Sequence, residues 1–280
     1  MERRQFLGLA LSTAAAPLAA RTLPTIGVQL YTLRTVLPKK ADETLKALEE
    51  MGFREAEVIG GQMDITWPAL EKTKIKPVSL HLDTRLFTAD KGQLPGKLED
   101  AAKRGFEYVV CPYIAPQDRG GPEVMKRLGD TLNEAGTACE KIGLKLAYHN
   151  HAFEFEPAAG GGTLLDVLLK EADPNLVFLE LDVMWVQVAG LTPADIIAKY
   201  GRRTHLMHLK NVASMEKRYN EQVPRESFRE VGDGVIDMAA TLRAAAKAGV
   251  KHYFVEQDHT PGDPLESLRK SIGYLKKLDY

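Results

Sequence analysis

From residue 26 onward, short β-branched and apolar runs alternate with amphipathic stretches of helical spacing. The run Ile26 to Thr32 follows Pro24, and Ala41 to Met51 carries Leu45 and Leu48 on one helical face and ends at Gly52. Further strands are read at Glu55 to Ile59, Lys76 to Leu82, Tyr108 to Cys111, Lys145 to His151, Leu176 to Val183, Thr204 to Leu209 and His252 to Glu256. The helices between them are read at Asp64 to Lys74, Leu94 to Arg104, Pro122 to Ile142, Thr163 to Ala172, Thr192 to Tyr200, Asp237 to Ala248 and Pro264 to Lys276. Strands alternating with helices imply a parallel sheet. Eight such units over about 250 residues are the proportions of an α/β fold of one kind, a single (β/α)8 TIM barrel. A doubly wound sheet needs a glycine fingerprint after its first strand, and YTLRTVLPKK has no glycine. In a barrel, the active site is expected at the C-terminal ends of the strands.

The first twenty residues follow a different pattern. Arg3 and Arg4 precede an apolar, Ala-rich run of 15 residues, Phe6 to Ala20, which is short for a membrane span of ~20 residues. Residues 1–20 are therefore expected to be a secretory signal, and the Arg pair with Gln5, Phe6 and Leu7 resembles a twin-arginine export signal. The barrel then occupies 21–280, and the mature protein is expected in the periplasm or at the cell surface, with no stable membrane insertion. The whole chain carries 37 Lys and Arg against 38 Asp and Glu, a net charge of −1, and removal of residues 1–20 leaves −2. A near-neutral chain offers no electrostatic footprint for nucleic acid. Two cysteines make no disulfide framework, and Cys111 and Cys139 are expected as free thiols. Self-association into a homo-oligomer is left open.

The chemistry lies in polar residues at strand ends. His81 closes strand three; His149, Asn150, His151 and Glu154 follow strand five; Glu180 and Asp182 lie on strand six; His205, His208 and Lys210 lie on strand seven; Glu256 and Asp258 end strand eight. Side chains alternate between faces, so His149 shares a face with His151, and Glu180 with Asp182. A single His is usually a hydrogen-bonded structural residue and a single Asp is often a helix cap. Imidazoles and carboxylates at matching ends of neighbouring strands are what a divalent metal requires. Tyr31, Gln29, His81, His151 and Trp185 are candidates for substrate contacts.

The segments GVQLYTLR (27–34), YHNHAFEF (148–155), LELDVMW (179–185), HLMHLKN (205–211), VGDGVID (231–237) and FVEQD (254–258) together resemble the sugar phosphate isomerase/epimerase family. That family lies in the xylose isomerase-like TIM barrel superfamily, with endonuclease IV, ketose 3-epimerases and inosose dehydratase. The resemblance implies one divalent ion (Mn, Zn, Co or Mg) held by Glu, Asp, His and Glu from strands five to eight. Asp182, His208 and Glu256 supply the last three. On strand five the pattern departs, and Glu154 is preferred as the ligand with His149 as its alternative. The implied activity is isomerisation or epimerisation of a sugar, keto-sugar or cyclitol through an enediolate, with a lyase or dehydratase on a keto-glycoside or inosose as the alternative. Glu256, Glu154, His149 and Lys210 are the candidate proton carriers. A non-catalytic carbohydrate-binding barrel is the alternative of another class. An endonuclease IV-like activity is disfavoured, because Trp185 stands where that enzyme has a further His, and the chain has 7 His in all.

Overall fold

A computed structural model describes residues 22–280, so the expected export signal lies outside the described residues. Eight strands, β1 (Gly27–Gln29), β2 (Glu55–Ile59), β3 (Lys76–His81), β4 (Tyr108–Cys111), β5 (Lys145–His149), β6 (Val177–Asp182), β7 (Thr204–Leu209) and β10 (His252–Val255), close into a barrel. Every neighbouring pair is parallel, and β10 joins β1 to β7. Helices α1 (Leu37–Met51), α2 (Met63–Leu70), α3 (Leu94–Lys103), α4 (Gly121–Lys141), α5 (Leu164–Glu171), α6 (Val183–Val188), α7 (Pro193–Tyr200), α8 (Met238–Ala248) and α9 (Pro264–Leu275) follow or connect the strands. Two short strands, β8 (Asn211–Val212) and β9 (Phe228–Arg229), pair antiparallel in the loop after β7. None of the described helices is long and apolar enough to cross a membrane. Cys111 and Cys139 are buried and unbridged.

The main core lies between the strands and their helices, and it takes the outward-facing residues, among them Val109, Leu146, Leu179, Leu181, Met207 and Leu209. Inside the barrel a smaller apolar cluster of Val78, Tyr108, Val110, Ala147, Leu206 and Phe254 packs with Phe178. Gly27 admits Phe254 to this cluster, because a Cβ at residue 27 would lie 2.5 Å from the ring. One step further along the same interior faces, the side chains become polar: Gln29, Glu57, His81, His149, Glu180 and His208, all but His81 buried. An apolar plug thus fills the lower barrel and a layer of charge sits on it. The pleat enforces this arrangement, since Ala147 and His149, Phe178 and Glu180, and Leu206 and His208 are two residues apart.

Several elements differ from the sequence expectation, β5 among them, which ends at His149 rather than His151. β1 ends at Gln29 because the Gln29 side chain accepts a hydrogen bond from Tyr31 N, which turns the chain into a 3-10 turn. α2 stops at Leu70 rather than Lys74. β6 ends at Asp182, where the carboxylate caps a further helix, α6, over residues expected to be loop.

Candidate metal centre and substrate cavity

A cavity of about 630 Å³ opens at the C-terminal end of the barrel. His81, His149, His151, Trp185, Lys210, Glu256 and Asp258 line it, together with Tyr31, Tyr113 and Phe228. Of the substrate-contact candidates, Tyr31, His81, His151 and Trp185 reach this cavity. Gln29 does not: its Nε2 donates to Glu57 Oε1 at 2.7 Å and its Oε1 accepts from Tyr31 N.

Asp182 is set by its own helix. Oδ1 accepts from Met184 N at 2.9 Å and Trp185 N at 3.2 Å, the bonds of an N-cap. That role orients Oδ2 toward the cavity floor. There it lies 3.7 Å from His208 Nδ1 and 3.9 Å from His149 Nε2. His208 Nδ1 is 2.9 Å from Glu256 Oε2. His149 is presented by Asn150, whose Oδ1 accepts from Asp182 N at 3.1 Å and ties the strand-five loop to β6. Asp182, His208 and Glu256 form one group of donor atoms close enough to share an ion.

The strand-five ligand preferred from the sequence lies elsewhere. Glu154 sits in a 3-10 turn, where Oε1 accepts from Tyr148 OH at 2.7 Å and Oε2 from His151 N at 2.9 Å. Both oxygens are engaged, and His149 is the strand-five side chain that approaches Asp182 and His208; it also forms a second group of close donor atoms with His81, Glu180 and His208. Burial pushes the Glu154 carboxyl from 4.5 up to about 8, outweighing those hydrogen bonds. The native state then holds a proton that the unfolded chain has lost, so stability is expected to fall as pH rises from about 4.5 to about 8. Glu154→Gln can accept from His151 N and donate to the Tyr148 oxygen. It is expected to flatten that slope, by about 5 kcal/mol at most above pH 8. Melting curves of both proteins from pH 5 to 9 test this, and parallel profiles would refute it.

Lys210 is buried among carboxylates. Its Nζ is 3.0 Å from Asp182 Oδ2, 2.7 Å from Glu256 Oε2 and 2.9 Å from Asp258 Oδ2. Burial opposes its charge, but the three carboxylates outweigh that and hold the ammonium well above the usual lysine range. Glu256 is shifted the other way: burial raises its carboxyl, while Lys210 and His208 more than compensate and hold it far below the usual range. Burial drives His149 and His151 down, so both rings are neutral, and His151 falls to about 3.

Sequence reasoning missed Glu57. It is fully buried at mid-strand in β2, where it receives Gln29 Nε2 at 2.7 Å, Ser79 Oγ at 2.5 Å, His208 Nε2 at 2.5 Å and His81 Nε2 at 2.9 Å. His81 Nε2 also lies 2.7 Å from Glu180 Oε2. Burial opposes the His81 charge, but Glu57 and Glu180 raise it to about 9. The available signal was alternation, which puts Glu57 of EAEVI on the same strand face as Glu55 and Ile59.

A divalent ion fits this donor set on two observations. Asp182 Oδ2 and His208 Nδ1 are buried and make no aligned hydrogen bond, their contacts being the ion pairs to Lys210 Nζ at 3.0 Å and to Glu256 Oε2 at 2.9 Å, so each keeps bonding capacity that an ion would use. Five carboxyls, Glu57, Glu180, Asp182, Glu256 and Asp258, also crowd around Lys210, His81 and His208; burial raises the carboxyls of Glu180 and Asp258, and a cation beside them would favour their ionised forms.

Comparison with known proteins agrees with this architecture. The model of the xylose isomerase-like TIM barrel family matches residues 25–278, and this chain belongs to that family. An inosose dehydratase from Geobacillus kaustophilus is 25% identical over 273 residues, covering 85% of this chain and 87% of that one. A sugar phosphate isomerase/epimerase from Parabacteroides distasonis superposes with a TM-score of 0.76 at 22% identity, covering 95% of this chain and 96% of that one. The IolI protein, solved with a bound zinc atom, superposes with a TM-score of 0.68 at 18% identity, over 90% of this chain and 97% of its own.

Proposed function

We propose that this chain is a divalent-metal enzyme that moves a proton beside the carbonyl of a neutral keto-sugar or cyclitol, with loss of a β-oxygen as the preferred outcome. The observation that carries the reading is the convergence of Asp182, His208 and Glu256, with His149 Nε2 3.9 Å from Asp182 Oδ2, beside a cavity that His149 and Glu256 line and that is large enough for a sugar. These four residues would hold the ion, and two imidazoles with two carboxylates suit Zn, Mn or Co better than Mg. When bound, such an ion polarises a carbonyl and acidifies the adjacent C–H.

The remaining steps belong to the chain. Glu256 Oε2 and Lys210 Nζ stand 2.7 Å apart, a proton acceptor beside a proton donor at the cavity wall. Elimination needs both, one to take the C–H proton and one to protonate the departing oxygen. That pairing, together with the inosose dehydratase among the relatives, favours elimination over isomerisation or epimerisation. Trp185 and His151 carry buried, unpartnered ring nitrogens at the cavity wall and are suited to substrate hydroxyls.

The cations around the mouth argue for an uncharged substrate. Arg34 donates to the carbonyls of Tyr31 and Asp258, Arg119 is bidentate to Glu221, and Lys210 is held by three carboxylates. A phosphate needs uncommitted donors. The test is incubation of metal-loaded enzyme with inososes, 3-keto-glycosides and ketoses in deuterated water. Elimination yields a product short of one oxygen function, epimerisation yields a deuterated isomer, and absence of C–H exchange with every substrate refutes the reading.

We further propose that residues 1–20 direct export of the folded, metal-loaded protein through the twin-arginine route. Replacing Arg3 and Arg4 with Lys is expected to leave it uncleaved in the cytoplasm. Unchanged export of the Lys-Lys variant in a fractionation experiment would overturn this.

A further inference from the structure

The charged layer beneath the candidate metal centre has a geometry of its own. His208 has one nitrogen on each side. Nδ1 faces Asp182 and Glu256, while Nε2 lies 2.5 Å from Glu57 Oε1. Glu57 is itself fixed from three further directions by Gln29, Ser79 and His81. His149 repeats the arrangement more loosely, with Nε2 toward Asp182 and Nδ1 3.4 Å from Glu180 Oε2. His81 bridges the two lower carboxylates, so Glu57, His81 and Glu180 form a continuous polar layer resting on the apolar plug.

We propose that Glu57 is a positioning residue that keeps the proton of His208 on Nε2, so that Nδ1 presents its lone pair to the ion. This rests on the reading that the upper cluster binds a metal. The physical argument is that a buried carboxylate at hydrogen-bond distance can only accept, so without metal both ring nitrogens carry hydrogen, Nε2 toward Glu57 and Nδ1 toward Glu256. Glu256 and Asp182 are the residues that would share the ion, so Nδ1 is the side that would give up its hydrogen to it, while Glu57 retains the hydrogen on Nε2. A ring held this way is fixed in orientation and is a more basic ligand at its other nitrogen. Glu57 contacts no ion and no substrate in this scheme: it belongs to neither group of donor atoms close enough to share an ion, and it does not line the cavity.

The test uses full-length mature protein labelled with 15N at histidine, with zinc as the probe. In zinc-loaded wild type, His208 is expected to bind through Nδ1 and to show a protected, downfield Nε2 proton. Ligation through Nε2 overturns the proposal without any variant. Glu57→Gln is expected to move that proton signal upfield and to raise the zinc dissociation constant 10–100-fold in chelator competition. A folded Glu57→Gln protein with zinc affinity within twofold of wild type, and an unmoved Nε2 proton, also overturns it, since a purely structural role would lower only the melting temperature. If wild type itself takes up no zinc, the metal reading fails separately. The zinc-free spectrum then decides for Glu57: a downfield Nε2 proton that Glu57→Gln moves upfield upholds the assignment, and its absence overturns it.

Discussion

Glu256→Gln is expected to lower turnover by roughly 10²–10⁴-fold, the usual worth of a positioned proton carrier. The amide keeps the shape of the side chain and one oxygen toward His208. It removes the negative charge that holds Lys210 Nζ at 2.7 Å. Two effects therefore combine: the acceptor loses its basicity, and the neighbouring ammonium is left to Asp182 and Asp258. The decisive measurement is exchange of the substrate C–H with deuterated solvent at saturating metal. Exchange near the wild-type rate would transfer the proton-moving role to Lys210 or His149. A loss that excess metal fully restores would make Glu256 a ligand alone. The very low position of its carboxyl suits a ligand well, so this experiment separates two roles that one side chain can combine.

Asp182→Ala and His208→Ala are each expected to strip bound metal and abolish activity. Wild type should contain about one divalent ion per chain, the number that four converging donors support. Losing a donor should weaken binding beyond the 10–100-fold that loss of an outer hydrogen-bonding partner costs. Asp182→Ala also removes the cap of α6, worth about 1 kcal/mol. Asp182→Asn separates the two roles, because its Oδ1 can still accept from Met184 N and Trp185 N while the charge facing His208 is gone. Elemental analysis showing unchanged metal in both alanine variants would refute the ligand assignment.

The barrel was legible because its strands and helices differ in period, and because the glycines at 52, 105, 143 and 249 end helical segments with positive φ. α6 was not legible. Its residues VMWVQV are apolar and rich in valine, so periodicity cannot separate them from more strand, and only the Asp182 cap begins a helix there. Asp182, His208, Lys210 and Glu256 could be read because a charged residue after an apolar strand must lie at a rim. Glu154 was misplaced by the same logic: it follows the strand, but a turn at Ala152 aims it back at Tyr148. Glu57 escaped because it lies inside a strand, where a glutamate ordinarily faces water. Only closure of the sheet makes that face an interior one.

The apolar plug of Val78, Tyr108, Val110, Ala147, Leu206 and Phe254 fills the barrel beneath the chamber, so among the described residues nothing passes along the barrel axis. Substrate and product then share the C-terminal end of the barrel, where Tyr31 and Phe228 are among the cavity-lining residues, and any water released by the chemistry leaves on the same side. Departure of one molecule and arrival of the next are therefore mutually exclusive events. The kinetic signature of such a dead-end chamber is a reaction product that competes directly with substrate for the empty enzyme.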